Sequence, residues 1–256
     1  MPSSSSAAAR AAAAAPLAPA PLAAAPLDAP NGTARAVAEF YDRLVFPSRS
    51  SDPAYRALLP ATPGERIGDF GCGQSLFHDA LRAYAPPPVF LDLSMNALRT
   101  IGYGHRVRAD LAGLPFKSGV FDRILCIGVL HHLPDRAPAL RHLARVLRPR
   151  GRLILGVYSP RSVQSILRRL HEASRARAWR HFVAWGTRRL LEARYRRAGT
   201  PLAPEDARRR ARDFLDVPYV RYAPAADYVR EAERFGLRAA GLGRISGMNI
   251  IHLERC

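Results

Sequence analysis

The sequence predicts an open α/β sandwich around a largely parallel sheet, and three observations carry that prediction. Short β-rich runs alternate with helical patterns from residue 66 to 157, a glycine-rich turn follows the first run, and two β-like runs joined at Ser246-Gly247 close the chain. Residues 1–34 are Ala, Pro and Ser with few large apolar side chains, too little to offset the entropy of ordering, and read as a disordered tail. Ser-rich and free of acids before Asp28, the tail has the composition of an organelle transit peptide as its alternative reading. Order begins near Val37, where Val37, Phe40, Tyr41 and Leu44 share one face of a short amphipathic helix.

The strand candidates are Arg66–Phe70, Val89–Leu91, Arg106–Ala109, Arg123–Ile127 and Arg152–Val157. The clearest helix between them is Ala137–Leu147, stopped by Pro149. At this spacing the strands run parallel with right-handed crossovers. The alternation then pauses: Ile166–Glu172, Trp179–Tyr195 and Ala207–Leu215 read as helices, which makes 161–215 a helical insertion after the fifth strand. Trp179, Phe182, Val183, Gly186 and Leu190 fall on one face of its middle helix. A helix at Ala225–Phe235 and the β runs Leu237–Ile245 and Met248–Leu253 complete a domain spanning 35–256.

Composition removes several classes. The chain has 256 residues and is 48% hydrophobic, enough for one substantial core. Its longest uncharged stretch, Ala11–Leu27, is broken by prolines, so integral membrane insertion is excluded. Three cysteines without a CxxC or Cys/His cluster make neither a disulfide framework nor a zinc site, and no metal is expected. A reducing, cytoplasmic setting follows, with organelle targeting by the tail as the alternative. The net charge of +18 is unevenly placed, because residues 161–212 hold 15 arginines against four acids. Such a block suits an acidic partner, whether nucleic acid, an acidic protein or an anionic membrane surface, or else forms a solvated helical face.

The chemistry starts at Arg66-Ile-Gly-Asp-Phe-Gly-Cys-Gly-Gln-Ser75. A strand ends in an acid, and Gly71 and Gly73 let the following turn tighten and approach a ligand. Asp69 then faces the crevice where open α/β sheets bind ligands. A dinucleotide site wants a third glycine at position 76, which is Leu76, and Asp69 would repel a phosphate. S-adenosylmethionine, with an ammonium, a sulfonium and no phosphate, suits the loop better. Asp92, 19 residues after Gly73 at the end of the second strand, can accept both ribose hydroxyls, and Asp110 ends the third strand where it can accept adenine amino hydrogens. As bare residues, both aspartates are equally turn or cap formers.

The pieces IGDFGCG, FLDLS, RADLAGLPFKSGVFD, ILCIGVLHHLPD and LARVLRPRGRLIL, in order across 66–155, resemble the class I S-adenosylmethionine-dependent methyltransferases, most closely their type 11 subgroup. The resemblance implies a Rossmann-like three-layer sandwich with a seven-stranded, mostly parallel sheet and an antiparallel last strand. It also implies that Asp69, Gly71, Cys72 and Gly73 hold the methionine end of the cofactor, Asp92 and Leu93 the ribose, and Asp110 and Leu111 the adenine, with Ile127 and Gly128 beside the methyl group. Two positions depart from the family pattern: Ser75 stands for a third glycine, and Arg150 for the first glycine of a PGG turn.

Methyl transfer needs a base only when the nucleophile has a proton to lose, and His131 and His132 lie where such a base or a substrate contact would sit. The (D/N/S)PP(Y/F) run of amino-methylating DNA enzymes and the Pro-Cys nucleophile for cytosine are missing, and Cys126 lies in an apolar strand. Acceptor recognition falls to Tyr41, to the insertion with Trp179, Phe182 and Trp185 as an aromatic lid, and to Tyr222 in PYVRY. The favoured acceptor is a small molecule. A tRNA wobble uridine tracked by the arginine block and a non-catalytic binding module are the alternatives.

Overall fold

The computed structural model describes residues 32–44, 53–60, 64–173, 176–197, 199, 201–245 and 247–256, so the expected tail lies almost wholly outside the described residues. Helix α1 spans Thr33–Arg43, two residues earlier than the predicted domain start. The sheet strands are β1 (Ile67–Phe70), β2 (Val89–Asp92), β3 (His105–Arg108), β4 (Phe121–Ile127), β5 (Leu147–Tyr158), β6 (Leu237–Ile245) and β7 (Met248–Arg255). They form one seven-stranded sheet in the order β3-β2-β1-β4-β5-β7-β6. The pairs among β1 to β5 are parallel, and β7 runs antiparallel to both its neighbours, β5 and β6.

The inner strands are buried on both faces, as expected of parallel strands covered by helices. Alternation divides their side chains between two cores. Leu91, Ile124, Cys126, Leu153 and Leu155 pack against Leu140 and Leu143 of α4 (Ala137–Val146) and Tyr228 of α8 (Ala225–Glu233). Phe90, Leu125 and Ile154 pack on the other side, against Leu81 of α2 (His78–Leu81) and Leu98 of α3 (Met95–Arg99). The insertion consists of α5 (Val163–Ala173), α6 (Arg177–Arg197) and α7 (Pro204–Asp216).

β5 begins five residues before its predicted start, because Leu147 already pairs with Phe121 ahead of a register shift. The shift loops out Arg150 at φ 62°, and Ser75 also sits at φ 62°. The two departures from the family's glycines are thus the two described non-glycine residues in the left-handed region, where a side chain costs roughly 1–2 kcal/mol. Ser75 is compensated by its hydroxyl, as described below; Arg150 is exposed. Arg150→Gly is therefore expected to stabilise the fold by about 0.5–1 kcal/mol after the greater chain entropy of glycine is deducted. Thermal unfolding should rise by roughly 2 °C, and an unchanged or lower midpoint would show that the loop is not strained.

Candidate active site

Strand order reverses between β1 and β4, and ligands of open α/β sheets bind outside the carboxyl ends of the strands at such a point. Asp69 is the penultimate residue of β1 there, 3% exposed, with its Oδ2 accepting the Ser75 hydroxyl at 2.6 Å. Ser75 Oγ in turn accepts the Phe77 N–H at 3.1 Å, so the serine fixes the carboxylate that it faces. Burial pushes Asp69 up to about 7; the Ser75 hydrogen bond opposes the rise and the Asp92 charge adds to it. Asp92 is oriented by two backbone donors, Gly73 N–H at 2.7 Å on Oδ2 and Ser94 N–H at 2.8 Å on Oδ1. Each oxygen retains a lone-pair site for a further donor.

The two loop glycines are required for different reasons. A Cβ on Gly71 would meet Val129 Cγ2 at 2.3 Å, whereas a Cβ on Gly73 would meet nothing within 4 Å, leaving that stretch of backbone open to a ligand. Cys72 donates to the Gly73 carbonyl and burial holds its thiol well above the usual range, so it is no nucleophile. Around this loop, Leu93 accepts Arg108 Nε at 3.0 Å and Asp110 caps a short turn through Ala112 N–H at 2.8 Å. Leu111 packs its side chain into the core, which leaves its backbone as what it can offer a ligand. Ile127 is also buried, and Gly128 at φ 81° donates its N–H to Gly156 at 2.8 Å. A buried carboxylate short of a cation, a two-acceptor aspartate and an open glycine backbone suit a donor that is cationic at one end, has a ribose and carries no phosphate.

Helix α1 closes this crevice and links it to the insertion. Asp42 Oδ1 accepts Ser94 Oγ at 3.0 Å and Asn96 N–H at 3.1 Å, which pins the helix beside Asp92. Its neighbour Tyr41 lies 3.0 Å from His132 Nε2 and 2.8 Å from Asp213 Oδ1 of α7. His132 Nδ1 is 2.9 Å from the Tyr219 carbonyl, which can only accept, so Nδ1 carries the hydrogen and Nε2 is bare in the neutral ring. Burial lowers His132 to about 4, against the Tyr219 bond and with Arg168 adding to the fall, so the ring is neutral near pH 7. Tyr41 then has one hydrogen for two acceptors. Tyr41 gives that hydrogen to Asp213 Oδ1, its oxygen lying against His132 Nε2, and burial raises the Asp213 pKa while the Tyr41 bond opposes the rise.

With both nitrogens of His132 engaged, His131 is the histidine with a nitrogen to spare. It is 1% exposed, its ring centroid is 4.2 Å from that of His132 and 5.1 Å from that of Tyr158, and its Nδ1 has no hydrogen-bond partner. Burial and the neighbouring His132 hold its pKa well below 6.5. Arg168 of α5 is also buried, donating to Glu172 at 2.6 Å and to the Val217 carbonyl at 2.7 Å while its Nη1 has no partner. Tyr222 is half-buried, pushed up to about 12 by burial with the nearby Arg168 opposing.

The structure corrects one feature of the expected lid. Trp179, Phe182 and Trp185 are 46%, 57% and 52% exposed and stack on one another on the outside of α6, while its inward residues are Val183, Thr187 and Leu191. The apolar residues of this helix encircle more of it than one face, so periodicity alone chose the wrong arc. Trp179 is therefore not brought to the histidines. Conversely, sequence reasoning missed Asp42, Tyr158, Arg168 and Asp213, which have no local motif and act through partners far along the chain. Only the position of Tyr158 at the end of a central strand was a usable signal.

The Methyltransferase domain family profile matches residues 68–155, the stretch that carries this crevice. The 27-O-demethylrifamycin SV methyltransferase of Amycolatopsis mediterranei is 32% identical over 207 residues, covering 73% of this chain and 69% of that protein. A ubiquinone biosynthesis O-methyltransferase of Xanthomonas campestris is 30% identical over 112 residues, 40% of this chain and 46% of that one. Among solved structures, an S-adenosylmethionine dependent methyltransferase from Mesorhizobium loti shares the fold with a TM-score of 0.55 and 20% identity, covering 79% of this chain and 96% of that chain. Magnesium protoporphyrin IX methyltransferase from Synechocystis, solved with SAH bound, has a TM-score of 0.50 and 18% identity, covering 88% of this chain and 85% of that chain. The chain belongs to the class I S-adenosylmethionine-dependent methyltransferases, in their type 11 group.

Proposed function

We propose that this methyltransferase acts on a hydroxyl of a small-molecule acceptor, with His131 as the base. The observation that supports this reading best is the buried, neutral His131 with an unpartnered Nδ1 beside a His132 whose ring contacts Tyr41 and Tyr219. S-adenosylmethionine supplies an already activated methyl group when bound, so the chain's work is alignment, exclusion of water and removal of one proton. Asp69, positioned by Ser75, takes the cationic methionine end; Gly71, Cys72 and Gly73 form the loop against it. Asp92 with Leu93 takes the ribose, Asp110 with the backbone of Leu111 the adenine, and Ile127 and Gly128 border the methyl group.

On the acceptor side, Tyr41 contacts His132, Tyr222 lies near Arg168, and Arg168 Nη1 is available to an acceptor oxygen. His132 is held by Tyr41 and Tyr219 and keeps His131 neutral and oriented. The rifamycin and ubiquinone relatives are named for O-methylation, which agrees with a hydroxyl as the nucleophile. The tRNA reading draws on the arginine block, yet Arg168 is the one buried arginine among the described residues of 161–212. Purified protein with labelled methyl donor, offered total RNA, protein extract and a metabolite extract separately, should label a metabolite. Label confined to RNA would overturn the proposal.

A further inference from the structure

Helix α5 is amphipathic the wrong way round for a soluble helix. Gln164, Ser165, Arg168 and His171 are its buried residues, while Val163, Ile166 and Leu170 are 53%, 45% and 45% exposed. Spaced at i, i+3 and i+7, the three form one outward stripe. Helix α6 packs on α5 and exposes its own stripe, Trp179, Phe182 and Trp185, with Leu190 48% exposed beyond them. An inward polar face is accounted for by the acceptor site, where Arg168 lies beside His132 and Tyr222. These seven large exposed apolar side chains are not covered by any of the described residues.

The surroundings of this face select its occupant. Arg161, Arg169, Arg177, Arg180, Arg189, Arg194, Arg196 and Arg197 are exposed on or beside the two helices, against the acids Glu172 and Glu192. A second copy would bring two strongly positive faces together. Aromatic rings among arginines also suit single-stranded RNA, but the aliphatic Val163, Ile166, Leu170 and Leu190 offer nothing to stacked bases. Arginines flanking exposed Trp, Phe and Leu on amphipathic helices match the demands of a bilayer interface, where apolar side chains enter the headgroup boundary and cations meet anionic lipid. No described helix is long and apolar enough to cross a membrane, so the contact would be peripheral.

We infer that the outer face of α5 and α6 docks the enzyme on an anionic lipid bilayer, with its lid helices lying in the interface. The chain carries its own probe, since its two tryptophans, Trp179 and Trp185, both sit on this face. Vesicles of phosphatidylcholine and phosphatidylglycerol in roughly equal parts should shift tryptophan emission to the blue and co-sediment with the protein, while pure phosphatidylcholine does so weakly. Arg189→Glu, Arg196→Glu and Arg197→Glu should each weaken partitioning about fivefold. Ile166→Ser with Leu170→Ser should weaken it at least roughly tenfold with both probes retained, and unchanged S-adenosylmethionine affinity would show that these variants are folded. Absence of both the shift and co-sedimentation with wild-type protein would overturn the inference. So would an emission change with RNA and none with vesicles, or a dimer whose tryptophans are already shielded in the absence of lipid.

Discussion

Asp69→Asn is expected to weaken S-adenosylmethionine binding by roughly 10²–10³-fold, the largest loss of affinity available from one substitution in the crevice. Removing one partner of a buried ion pair typically costs about 3–5 kcal/mol, because the other charge is left uncompensated. The same residue should give donor binding a pH dependence. In the free protein burial places Asp69 at about 7. A bound ammonium stabilises the ionised form and lowers that pKa, so binding is at full strength above about 7. Below it, each protonated Asp69 must first lose its proton, and affinity should fall up to tenfold per unit of pH. Calorimetry across pH 6 to 8 tests the sign, with proton release on binding at the acid end. An amide side chain cannot titrate, so a slope that survives in Asp69→Asn would assign the effect to another group.

His131→Ala should lower kcat by about 10²–10⁴-fold, the usual worth of a positioned base, while leaving the dissociation constant of the methyl donor within about twofold. The split distinguishes a base from a packing residue, whose loss would disturb both quantities. The pH profile adds an independent check. Because His131 is held well below 6.5, kcat at saturating donor should stay level down to about pH 6.5. In the same interval kcat/KM for the donor should fall, since Asp69 governs donor capture. A kcat that declines through pH 7 would exclude a neutral buried His131 as the base. Tyr41→Phe removes the hydroxyl between Asp213 and His132, and its smaller effect, roughly tenfold on kcat, should come with a shifted pH profile.

The glycine-rich loop after β1 was legible in the sequence because its geometry is local. Asp69, Gly71, Gly73 and Ser75 lie within one strand-to-loop turn, and strand alternation fixes which of their neighbours face the crevice. The sheet was legible for a related reason: strands buried on both faces read as continuous apolar runs, so their existence and order survive errors of a few residues at the ends. The one large boundary error, in β5, arose where a bulge lets pairing resume beyond Arg150, and bulges leave no periodic signal.

The sequence by itself therefore determined the α/β sheet, the position of the glycine-rich loop, the two histidines after β4 and the concentration of positive charge on one insertion. Each of these follows from residue type and spacing within about one structural unit. The tertiary structure alone decided which histidine keeps a free nitrogen, that Tyr41 lies between His132 and Asp213 across 91 and 172 positions of sequence, and that α5 turns its polar residues inward and α6 its tryptophans outward. Those outcomes depend on which of several apolar and polar arcs a helix presents once its neighbours are in place. Packing makes that choice, and no pattern along a single helix encodes it.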